Sequence, residues 1–111
     1  MTKRQRAQQV ANEIKEVYKA DKVIVCWSSG QAQKYNANGL TSNTIGFAYH
    51  LTSGDTVIQC VIPIAKKVIF NDVYDNTKSI LFTVGAYIQE HIRIMMFTGM
   101  VEGLTDANNT H

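Results

Sequence analysis

The sequence predicts an α+β fold: an N-terminal helix, an antiparallel sheet of three to five strands built around a central hairpin at residues 43–64, and a long C-terminal helix over 77–101. Three observations carry this expectation. Apolar residues recur at helical spacing through residues 3–20, two β-rich runs flank a short polar turn, and residues 77–101 hold a long apolar stretch with no proline. The chain has 111 residues, so a single α+β domain over 1–104 with a disordered polar tail at 105–111 is the expected organisation. A charged fraction of 18% with net charge +2 lies far from the disordered regime.

The first helix is read from Ala7, Val10, Ile14, Val17 and Tyr18, which share one face. Thr2 and Gln5 have the spacing of a capping box, in which hydroxyl and amide satisfy each other's orphan backbone N–H groups. Asp21 is expected to mark the stop. Residues 22–27, KVIVCW, form a β-branched run apolar on both sides, which suits a strand covered on both faces. Residues 28–42 are polar and Gly/Asn-rich, and read either as a polar hairpin around Asn38-Gly39 or as a working loop.

Residues 43–51 and 56–64 then flank a four-residue turn, Thr52-Ser53-Gly54-Asp55. Setting Leu51 opposite Thr56 pairs Tyr49 with Ile58, Phe47 with Cys60 and Ile45 with Ile62, so one face is large and apolar. The other carries Thr44, Gly46, Ala48 and His50 against Val57, Gln59 and Val61. Pro63 lacks an N–H and belongs at an edge or a strand end. Residues 67–71, KVIFN, read as a returning strand, and Asp75 or Asn76 as the N-cap of the last helix. In that helix Ile80, Leu81, Val84, Ile88, Ile92, Met95 and Gly99 form a core stripe, while residues 92–101 are apolar nearly all round. A helix apolar all round must be buried all round, and one short chain cannot surround it. Cover by a second copy is therefore expected, through Ile92, Ile94, Met95, Met96, Phe97, Met100 and Val101. A break near Gly85 or Gly99, with part of the segment folding back as a strand, is the competing reading.

Chemistry-bearing constellations are sparse. Cys26 beside Ser28-Ser29-Gly30 has the residue types of an activated thiol, but needs a base. His50 can serve only if the two strands are neighbours, and two buried core thiols in a reducing compartment is the simpler reading. His50, His91, Asp72, Asp75 and Glu90 lack metal-ligand spacing, so no metal and no cofactor are expected. Neither G-x-x-x-x-G-K-[ST] nor G-x-G-x-x-G occurs. Lys3, Arg4 and Arg6 form a small basic cluster able to contact phosphates, and Phe47 with Tyr49 has the layout of a base-stacking platform. Both features read more simply, as a solvated helix end and a helix-packing face, and nucleic acid is disfavoured as a partner. The residues chosen for an anionic ligand are Tyr87, His91 and Arg93, in a cleft between subunits, with Lys66 and Lys67.

No run approaches the roughly 20 apolar residues of a membrane helix, and the N-terminus lacks a secretory h-region. The expectation is thus a small cytoplasmic, non-enzymatic and oligomeric interaction protein, of accessory or inhibitor type, that docks on a larger partner. The alternative is a module that captures a nucleotide-like or other anionic small molecule between subunits.

Overall fold

In the computed structural model, the residues described are all but 36, 38, 39, 72, 110 and 111, with side chains in the last helix described through Met96. Helix α1 (Lys3–Val17) leads into strand β1 (Lys22–Cys26) and a short helix α2 (Ser29–Gln33). The hairpin β2 (Thr44–Ser53) and β3 (Thr56–Ala65) follows, then a one-turn helix α3 (Lys66–Ile69) and the long helix α4 (Thr77–Asn109). The sheet has three antiparallel strands in the order β1-β2-β3. This is the expected α+β architecture, with the sheet at the low end of the expected strand count.

Helix α1 begins at the capping box read from the sequence: the Gln5 amide donates to Thr2 Oγ1 at 3.1 Å, and the Thr2 amide to Gln5 Oε1 at 2.8 Å. It buries Ala7, Val10, Ala11 and Ile14, whereas Val17 is exposed. The helix ends at Val17 rather than at Asp21, because Lys19 adopts a left-handed φ of 53° that reverses the chain. Asp21 works beyond the helix: its carboxylate accepts from the Thr52 amide at 2.8 Å.

The hairpin register differs from the expected one by two residues. Ser53 faces Thr56, so Leu51 lies opposite Ile58, Tyr49 opposite Cys60, Phe47 opposite Ile62 and Ile45 opposite Ile64. The loop is Gly54-Asp55 alone, and Gly54 at φ +60° supplies the left-handed first position that tight hairpin turns require. A two-residue shift leaves every side chain on its expected face. Ile45, Phe47 and Tyr49 of β2 and Ile58, Cys60, Ile62 and Ile64 of β3 therefore still form one apolar surface, covered by α1 and α4.

Strand β1 is not covered on both faces. It is an edge strand, with Val23 and Val25 against the helices, Ile24 exposed and Cys26 buried on the far side. There Cys26, Ala32, Ala48 and Val61 form a second small cluster beneath Leu40 and Tyr35. The polar 28–42 segment contains α2, capped by Ser28 Oγ accepting from the Gln31 amide at 3.3 Å. The Asn38-Gly39 turn lies outside the described residues.

Residues 67–71 are not a strand. The Lys66 amide donates to the Asn43 carbonyl at 2.8 Å, closing the ladder, and the chain then turns through α3 to bury Ile69. Pro63 does sit on an edge strand, β3. Helix α4 runs unbroken through Gly85, whose missing Cβ admits the phenol of Tyr18; that hydroxyl donates to the Leu81 carbonyl at 2.5 Å. The N-terminal end of α4 is fixed by Asp75, which accepts from the Thr77 amide and hydroxyl, and by Asn76, which reaches instead to the Val68 carbonyl.

Gly85→Ala sets a helix-propensity gain of about 1 kcal/mol against a collision with Tyr18, and overpacking of this kind costs about 1–3 kcal/mol. The expected outcome is a lower Tm for Gly85→Ala, and a clearly smaller loss when the same change is made in Tyr18→Phe, read as a double-mutant cycle by thermal denaturation.

Candidate functional site

Helix α4 defines the first candidate surface. Its buried line, Ile80, Val84 and Ile88, advances by fours against β3 and continues through half-buried Ile92 to Met95. Met95 sits on the same face yet is 38% exposed, and its neighbours Ile94 and Met96 are 51% and 66% exposed. The core-facing side of the helix therefore runs past the end of the body that covers it. The radius of gyration, 16.3 Å, exceeds the roughly 13 Å of a compact chain this long, and the longest dimension is 61 Å.

Of the residues read as the oligomer seam, Ile94, Met95 and Met96 lie on this projecting part, while Ile92 packs against the core. Phe97, Met100 and Val101 fall outside the described side chains, as does the 105–111 tail. The residues read as a ligand cleft are not brought together. Tyr87 and His91, four apart, share one line of α4, while Arg93 points nearly opposite His91 at 100° per residue. There Arg93 bonds Glu90 within its own helix, Nε to Oε2 at 3.0 Å, and this holds the Glu90 carboxyl below its ordinary range. Lys66 and Lys67 lie at the far end of β3 in α3, beside Asn43 and Ala65.

The reactive groups are separated as well. Cys26 faces Gly46 and His50 faces Lys22, four residues apart along the ladder, or about 13 Å at strand rise. The His50 ring is held across the hairpin instead, with Nδ1 3.2 Å from Gln59 Oε1. Both cysteines are buried free thiols: burial pushes Cys26 up, and Cys60 to about 11. Phe47 and Tyr49 are fully buried, so they form no stacking platform, and the Tyr49 hydroxyl donates to the Tyr18 carbonyl at 2.9 Å. Among the described residues, no cluster of His, Cys, Asp or Glu is arranged to hold a metal ion, and no helix is long and apolar enough to cross a membrane.

A second surface lies at the opposite end of α4, where the basic cluster at the start of α1 meets α3. Arg6 turns inward, with Nε to the Ile69 carbonyl at 3.0 Å and Nη2 to Asn76 Oδ1 and Thr77 Oγ1, each at 3.3 Å. Lys3 lies 5.4 Å from the Phe70 ring and Arg4 lies 5.1 Å from Trp27. Those two rings stack with centroids 6.3 Å apart. Arg6 and its neighbours border a cleft of about 250 Å³, walled by Thr2, Lys3, Ile69, Phe70 and Asn71. Sequence reading found the cations but not the Trp27–Phe70 pair, which is joined across 43 residues and leaves no local signal (70 − 27).

Comparison with protein-family models, with curated proteins and with solved structures returns no match for this chain.

The raised Cys60 pKa gives a pH dependence of definite sign. The folded protein keeps the thiol proton up to about pH 11, while an unfolded thiol releases it near pH 8.5. Stability is thus fully present below the lower value and declines as pH rises towards the upper. The Tm is expected to fall across that window, and Cys60→Ala to flatten the fall, in a melting series from pH 7 to 11.

Proposed function

We propose that this chain is an interaction protein that self-associates through the projecting half of α4 and acts by docking rather than by chemistry on a substrate. The observation that carries this reading is the core-facing line of α4 running beyond the sheet at Met95, which is uncovered, with Ile94 and Met96 exposed on its two flanks. Full burial of an exposed apolar side chain of that size is worth about 1.5–3 kcal/mol, of which these three, between 38% and 66% exposed, have roughly half still to gain, and a second copy presenting the same helix tip is a self-complementary cover. The separation of Cys26 from His50, and the protonated state that burial imposes on both thiols, support docking over thiol catalysis. Two free thiols also suit a reducing compartment such as the cytoplasm. In this reading the protein acts as an accessory or inhibitor of a larger partner through the surface that pairing completes, since the paired α4 tips are themselves covered.

Light scattering coupled to size exclusion tests the reading. At about 100 µM the wild type is expected to run near twice its 12.4 kDa subunit mass, and Met96→Glu or Ile94→Glu to run as a monomer with unchanged circular dichroism. Burying an uncompensated carboxylate costs several kcal/mol, enough to abolish pairing. A wild-type mass of one subunit at that concentration overturns the proposal.

A further inference from the structure

The sulfur chemistry of the chain divides by burial. Its two cysteines are free thiols packed inside the fold, Cys26 with Ala32, Ala48 and Val61 on the far side of the sheet and Cys60 in the main core. Attack on a peroxide needs a thiolate that the oxidant can reach. Burial withholds both conditions, since it keeps each thiol protonated and away from solvent. A methionine thioether has no proton to lose, so access governs whether it reacts. Of the four methionines, Met1 is exposed at the N-terminus, and Met95 and Met96 are exposed on the projecting tip of α4. The fourth, Met100, lies outside the described side chains. Apart from Met1, the accessible sulfur of the described residues is thus gathered on the tip of α4.

Met95 sits on the core-facing line one turn beyond Ile92, with Ile94 and Met96 on its flanks. A second copy would bring the same three side chains against them. Thioethers suit such a contact because they are flexible and polarisable and require no hydrogen bond. A sulfoxide does not. Its S–O dipole is a strong acceptor that must give up water on burial, and on an identical tip it meets mainly aliphatic groups.

We propose that Met95 and Met96 form an oxidation-sensitive site that governs pairing of the chain, an inference that rests on the self-association reading above. The oxidant is a small peroxide. The sulfur lone pair takes the distal oxygen as the O–O bond breaks, and the hydroxide left behind departs as water with that oxygen's proton. The sulfur loses two electrons and the peroxide gains them. The step occurs on the unpaired chain, where both thioethers are exposed, and pairing shields them. Reduction by a thiol-dependent sulfoxide reductase returns the tip to its apolar form.

The test treats the full chain, dilute, with hydrogen peroxide, stops the reaction with catalase, and reconcentrates the protein for peptide mass mapping, circular dichroism and light scattering. Added oxygen is expected on Met1, Met95 and Met96, with both cysteines still titrating as free thiols after unfolding. Untreated chain should run as the pair and oxidised chain as one subunit with unchanged circular dichroism, because each buried sulfoxide weakens pairing about tenfold or more. The Met95→Leu, Met96→Leu double variant keeps the tip apolar; it should pair before and after peroxide, although Met1 is oxidised in it as in the wild type. Untreated wild type running as one subunit overturns the self-association reading and this inference with it. Where the untreated wild type pairs, three results overturn this inference alone: pairing survives oxidation, the double variant loses pairing to peroxide as well, or the thiols are consumed before Met95 and Met96.

Discussion

The packing of one long helix on one short strand governs this molecule. Strand β3 has ten residues and extends about 33 Å at strand rise, whereas α4 has 33 and extends about 50 Å. The helix must outrun the sheet, and the only freedom is at which end. That choice is made at its base, where Asn76 reaches the Val68 carbonyl, Thr77 is capped by Asp75, and Arg6 ties α1 to both α3 and α4. With the N-terminal end pinned, the surplus emerges past Ile92. The Tyr18–Gly85 contact then holds the first third of the helix against the C-terminal end of α1, so the buried line cannot rotate away from β3.

What was legible in the sequence follows from which physical signals are local. The capping box of α1 needs only Thr2 and Gln5, three residues apart, and it forms as read. The faces of the hairpin were legible because their period is two. Its register was not, since a shift of two residues preserves both faces and leaves apolar segregation blind to the difference. Only the turn distinguishes the two pairings, and there the φ of +60° at Gly54 selects a two-residue loop. The segment KVIFN misled because its side chains favour strands. The ladder closes at the Lys66–Asn43 bond, and burial of Ile69 under α1 turns the chain into α3 instead. Helix α2 was hidden by composition, its one cue being Ser28 three residues before Gln31.

The candidate surfaces were legible to different depths for the same reason. An apolar excess in residues 92–101 is a property of the sequence itself, and its first half does project uncovered. The grouping of Tyr87, His91 and Arg93 rested on closeness in sequence, which helical geometry undoes: residues four apart align, and two further steps carry Arg93 to the far side with Glu90. Periodicity split the basic cluster too. Lys3 and Arg4 settle over Phe70 and Trp27, while Arg6 turns towards Asn76. Neither aromatic partner is within reach of a local pattern, so the cleft could be found only once the chain had folded.

The two surfaces occupy opposite ends of a single continuous helix, and that bounds how they can influence one another. Coupling between sites requires two conformations for which each occupant has different affinity. The described part of α4 offers no such pair: it runs without a break through Gly85, locked by Tyr18, and its base is tied by hydrogen bonds to α1 and α3. Occupants of the base and of the tip would each stabilise the same folded state by mass action. Neither would change the other's affinity by any route but that shared stability. A helix fixed in this way behaves as a rod, its pinned base and its projecting tip about its own length apart, and the hydrogen bonds and packing that hold it in one position are what keep the two ends independent.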